Sequence, residues 1–77
     1  MPKLPPITGK KLCKLIQRLG FEKVGQKGSH VRFRHPDGRA TVVPLHGNEE
    51  IGPGLLRAIL HQTDISREQY LELYSKI

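Results

Sequence analysis

Val31 and Phe33 alternate with His30, Arg32 and Arg34, and Pro36-Asp37-Gly38 follows at once. In a β-strand, residues two apart share a face. Ser29 to His35 therefore predicts a strand with one apolar side and one cationic side. Burying two guanidinium groups in a small core would cost on the order of several kcal/mol each, so the cationic side faces water. Pro-Asp-Gly is a strong turn signal. Arg39 to Val43 beyond it predicts a returning strand, ended by Pro44. This hairpin dictates the rest of the fold, because one face needs an apolar cover and the other must stay open.

The flanking segments supply that cover. Pro2, Pro5 and Pro6 oppose helix, so residues 1–7 read as an extended lead-in. Thr8 suits an N-cap, and Leu12, Leu15, Ile16 and Leu19 recur at helical spacing, which predicts a helix over 8–19. Gly20 fits the left-handed position that ends it. Phe21 to Gln26 predicts another strand, joined to the central one by a tight turn at Lys27-Gly28. Three strands with short connections make an antiparallel meander. Leu45 to Gly52 is polar and reads as a loop. Pro53 then opens a helix to about residue 61, with Leu55, Leu56, Ile59 and Leu60 as its buried stripe. Ser66 and Gln69 have capping-box spacing for a last helix, which packs through Tyr70, Leu73, Tyr74 and Ile77. The expected fold is α+β, one domain over 1–77 in the order α-β-β-β-α-α. It has a three-stranded antiparallel sheet with helices on one face.

Charge is unevenly placed along the chain. Through Gly47 there are ten Lys and Arg against two acids, a balance of +8; from Asn48 onward there are three against five, a balance of −2. The basic part contains the central strand. Clustered positive charge attracts polyanions, and nucleic acid is the leading partner class. Cys13 is the single cysteine. It excludes an intramolecular disulfide and a Cys-rich zinc site, and it reads as a half-buried thiol beside the first helix's stripe. No apolar run reaches the length of a membrane span, and Met1 to Ile7 lacks a signal peptide's apolar core, so a reducing cytoplasm is expected.

Little catalytic chemistry is on offer. His30, His35, His46 and His61 are scattered, and His30 and His35 face opposite sides of their strand, so no metal or other cofactor is expected. Glu49-Glu50 lies in a loop and reads as solvated charge. Gly52-Pro53-Gly54 has a proline where a phosphate loop needs an N–H. What remains is His30 among cations. Imidazole titrates near 6.5, about where a proton acceptor or donor is useful at neutral pH. RNA carries its own nucleophile, the 2′-hydroxyl. A positioned His can take its proton while Arg or Lys steadies charge building on phosphorus oxygens. On the residues alone His30 is either that catalyst or a surface group touching phosphate. The chain is accordingly a metal-independent ribonuclease, a non-catalytic RNA-binding module using the same face, or an interaction protein for an acidic partner.

Several segments together resemble the HicA toxin family of toxin–antitoxin systems. They are the first helix ending in Leu19-Gly20-Phe21, then Gly28-Ser29-His30 with its basic strand, Pro36-Asp37-Gly38-Arg39, Pro44-Leu45-His46-Gly47, and Gly54-Leu55-Leu56-Arg57-Ala58-Ile59-Leu60. The resemblance runs along nearly the whole chain, with Leu56 departing from the residue many members carry. It implies a double-stranded-RNA-binding-domain-like fold, endoribonuclease action on messenger RNA, and a cognate HicB-like antitoxin that masks the active face. The family's Gly-Ser/Thr-His motif falls on Gly28-Ser29-His30, which makes His30 the expected general acid or base. Lys27, Ser29, Arg32 and Arg34 are the expected RNA contacts. The role of His46 and the identity of a second proton-transfer group stay open.

Overall fold

The computed structural model describes residues 4–77. Pro2, the first of the three lead-in prolines, lies outside them. Six elements follow the expected order: α1 (Gly9–Arg18), β1 (Glu22–Lys27), β2 (His30–Arg34), β3 (Ala40–Pro44), α2 (Pro53–Gln62) and α3 (Arg67–Tyr74). Each helix start has a local cause. Thr8 accepts from the Lys11 N–H to open α1. Pro53 occupies the first turn of α2. Ser66 and Gln69 form a reciprocal capping box at α3.

The sheet is antiparallel in the order β1-β2-β3. Val31 pairs with Val43 and Phe33 with Thr41, and all four are buried. They meet Leu12, Leu15 and Ile16 of α1, Leu56, Ile59 and Leu60 of α2, and Tyr70 of α3 in one core. Among the described residues no helix covers the opposite sheet face, where alternate residues of β2 and β3 are exposed. The topology is that of a double-stranded-RNA-binding-like domain with an added C-terminal helix.

The connections differ from expectation in instructive ways. The β1–β2 turn is Gly28-Ser29, one residue later than the Lys27-Gly28 reading, so Lys27 pairs directly with His30. Gly28 takes a φ of 58°, which favours glycine in this two-residue hairpin. The strand starting at His30 therefore leaves Ser29 in the turn. Strand β1 also carries a bulge between Lys23 and Gly25, which explains its imperfect alternation. At the other hairpin, Arg39 donates from backbone and side chain to Asp37. Those bonds, the backbone one foremost, hold the Asp37 carboxyl below its ordinary range.

Two stretches that read as lead-in and loop contribute core. Ile7 and Ile51 are buried, and the Ile51 N–H donates to the Ile7 carbonyl at 2.8 Å, beside a Thr8–Glu50 bridge. Tyr70 ties the same lead-in to α3, its hydroxyl donating to Pro5 O at 2.6 Å, and Tyr74 donates to Pro6 O. Gly9 explains how closely α1 meets the end of β3, since a Cβ there would overlap the Pro44 carbonyl oxygen.

Candidate nucleic-acid interface

The strand register determines what the open face displays, because directly paired antiparallel residues share a side. Three cross-strand rows result. The first holds Lys27, His30 and Pro44; the second Gly25, Arg32 and Val42; the third Glu22, Arg34 and Ala40. His30, Arg32 and Arg34 are all exposed, as the alternation predicts. Arg32 reaches toward β1 over Gly25, where an added Cβ would come within 2.8 Å of its Nη2. Among the described residues the ion pairs are Arg39 with Asp37 and Lys76 with Glu72, and His35 Nδ1 accepts from the Asp37 N–H. Lys27, Arg32 and Arg34 are in none of them, so their charge is available to a polyanion.

A depression of about 740 Å³ lies on this face, and His30, Arg32, Arg34, Val24, Val42 and Leu55 are among its walls. Leu55 is a correction to the sequence reading. It was expected in the buried stripe of α2, yet it is 44% exposed. Leu56, Ile59 and Leu60 already fill the core side of that helix, and Leu55 turns to the sheet's open edge instead. Val24, pushed outward by the bulge, is 53% exposed, and Val42 40%. The face thus combines free cations with an apolar floor.

A second depression of about 300 Å³ adjoins the first and shares His30, Pro44 and Leu55 with it. His46, Glu49 and Glu50 also line it. The His30 and His46 rings are 6.4 Å apart at an interplanar angle of 86°. Sequence spacing could not show this, because the two residues are brought together by the β2–β3 pairing. His30 pairs with Pro44, and the Leu45 N–H donates to Ser29 O at 2.6 Å, so the chain leaves β3 directly across the start of β2.

The other histidines stand elsewhere. His35 is half-buried, edge-on to Phe21 with ring centroids 5.1 Å apart, and it lies beside Asp37. His61 is exposed in the last turn of α2. Arg39 is committed to structure: its guanidinium sits 5.1 Å over the Phe21 ring, pairs with Asp37 and donates to the Thr63 carbonyl. Burial pushes the Cys13 thiol up to about 11, so it stays protonated at neutral pH and is no nucleophile. Among the described residues no three His, Cys, Asp or Glu side chains converge as a metal site would require. No helix among them is long and apolar enough to cross a membrane.

Residues 9–65 match a family model described as the HicA toxin of bacterial toxin–antitoxin systems. The match takes in α1, the whole sheet and α2, and so every residue of the open face described above. No curated protein matches the chain.

Proposed function

The chain belongs to the HicA toxin family of bacterial toxin–antitoxin systems, and from that premise we propose that it is a metal-independent endoribonuclease acting on messenger RNA in the cytoplasm. One observation carries the reading: the register that sets Lys27, His30, Arg32 and Arg34 on one open face beside an apolar-floored depression. His30 is the general acid or base. Arg32, Arg34 and Lys27 hold phosphate oxygens, and Ser29 offers a hydroxyl from the adjoining turn.

The chemistry follows from the substrate. The 2′-oxygen gives up its proton and attacks the neighbouring phosphorus. The P–O5′ bond breaks, leaving a 2′,3′-cyclic phosphate on one fragment and a 5′-hydroxyl on the other. Arginine suits the phosphate because its planar fork donates two parallel bonds to two oxygens. Charge that builds on those oxygens in the transition state is met by cations already in place. No cofactor enters this sequence.

A cognate HicB-like antitoxin silences the toxin by covering this same face. Val24, Val42 and Leu55 would lose their exposure in that complex, and the free cations would meet acidic groups. The reading is tested by incubating the purified chain with RNA in excess EDTA. Cleavage with 2′,3′-cyclic phosphate ends is expected, whereas salt-sensitive binding with intact RNA would leave only the non-catalytic module.

A further inference from the structure

Phosphoryl transfer from O5′ to the 2′-oxygen moves two protons, one off the nucleophile and one onto the leaving oxygen. His30 can serve one of these, and the second group must reach the other of the two oxygens, O2′ or O5′, across the same phosphorus. We propose that His46 is that second proton-transfer group; the proposal rests on the ribonuclease reading above.

Three observations support it. First, the rings of His30 and His46 stand 6.4 Å apart and nearly perpendicular, both lining the 300 Å³ depression. N–H···O contacts of about 2.8 Å from each ring can converge on one phosphodiester across such a gap. Second, both rings are exposed, so neither has to leave a buried position to meet a substrate. Third, His46 is held in place although it lies outside regular structure. The Leu45 N–H binds Ser29 O, the Glu49 N–H binds the His46 carbonyl, and the Ile51 N–H binds Ile7 O. The segment is thus anchored to the β1–β2 turn at one end and to the lead-in at the other.

The alternatives at this site are weaker. Glu49 and Glu50 line the same depression, but Glu50 is held in the bridge to Thr8, and it is His46 whose ring stands against that of His30. Lys27, Arg32 and Arg34 are the phosphate-holding cations of this face, and ammonium and guanidinium groups ordinarily do not cycle between acid and base near neutrality. Imidazole is the side chain whose ordinary range suits both holding and releasing a proton near neutrality, and among the described residues His46 is the second imidazole lining this depression.

The step balances without a co-reactant. One imidazole takes the 2′-hydroxyl proton as the 2′-oxygen bonds to phosphorus. The other, as imidazolium, gives a proton to O5′ as the P–O5′ bond breaks. The pair ends with its protonation states exchanged, and water resets it. The groups bearing on any pH profile are Lys27 from β1, Arg32 and Arg34 from β2, and Glu49 and Glu50 from the loop.

The test compares wild type, His30→Ala and His46→Ala on two substrates. One is an RNA oligonucleotide; the other has sulfur in place of O5′ at one linkage, a leaving group that needs no proton. For ordinary RNA, kcat/KM of His46→Ala is expected to fall by about 10²–10⁴-fold, and the bell-shaped pH profile to lose one limb. The sulfur substrate is expected to restore one of the two alanine variants to near wild-type rates and leave the other impaired, which identifies the acid. His46→Ala within threefold of an active wild type would overturn the proposal and spare the ribonuclease reading. So would a loss of rate with both limbs intact and no rescue of either variant, which is the pattern of a residue that only shapes the loop. A wild-type chain that leaves RNA uncut would sink the ribonuclease reading itself.

Discussion

Replacing Arg32 and Arg34 together by Gln tests the open face most quantitatively. Both side chains are exposed and outside the ion pairs of the described residues. Substitutions at such sites usually change stability by about 0.5 kcal/mol or less, so the fold should be retained. Each phosphate neutralised on a single strand contributes about 0.7 to the slope of log K against log salt. With Lys27, Arg32 and Arg34 engaged, the wild-type slope is about −2.1, and the double variant keeps about −0.7. Between 50 and 200 mM salt the wild type should lose affinity about 20-fold and the variant about threefold. Fluorescence anisotropy on a 2′-O-methyl oligonucleotide measures this, since that strand lacks the nucleophile and stays intact. Lys11→Gln with Lys14→Gln on α1 is the control, because that helix packs on the covered side of the sheet. Equal slopes for wild type and the strand variant, or an equal drop in the control, would refute the placement of the phosphate path.

Three further expectations concern the scaffold. Tyr70→Phe removes the 2.6 Å bond to Pro5 O and should cost about 1 kcal/mol in urea unfolding. Burial, with a smaller push from Tyr74, raises the Tyr70 hydroxyl from 10.0 to about 12. Its stabilisation is therefore complete below pH 10 and lost as pH climbs toward 12, and the Phe variant should flatten that alkaline decline. Ser66→Ala removes one half of the capping box and should cost about 1 kcal/mol by the same measurement. Gly9→Ala forces α1 from the Pro44 carbonyl and should cost about 1–3 kcal/mol, offset in part by roughly 1 kcal/mol of helix propensity. An Ala variant as stable as wild type would mean that the helix-to-strand contact is looser than described.

The elements were legible because their local signals agree with one another. The stripe of α1, the alternation of β2 and the capping box of α3 each point to the element that forms. The open face was legible for the same reason: one Val-Phe alternation assigns both the buried side and the cationic side. What escaped was whatever depends on contacts distant in sequence. Leu55 has the same character as Leu56, and only the packing of α2 on the sheet separates an exposed residue from a buried one. Ile7 and Ile51 lie in proline-rich and polar surroundings, and their burial rests on a backbone bond between segments 44 residues apart in number. The approach of His46 to His30 required the β2–β3 register and the course of the chain after Pro44. Its one visible trace was the Pro44-Leu45-His46-Gly47 segment, which spacing alone could not tie to His30.

The central claim is that His30 moves a proton in RNA cleavage, and one comparison addresses it directly. Wild type and His30→Ala are incubated with RNA in excess EDTA at equal concentration, with circular dichroism recorded on both. His30 is exposed at the start of β2, so the variant should keep its fold. Cleavage by wild type and a loss of about 10²–10⁴-fold in the variant are expected. A folded His30→Ala protein that cuts RNA at the wild-type rate would contradict the claim.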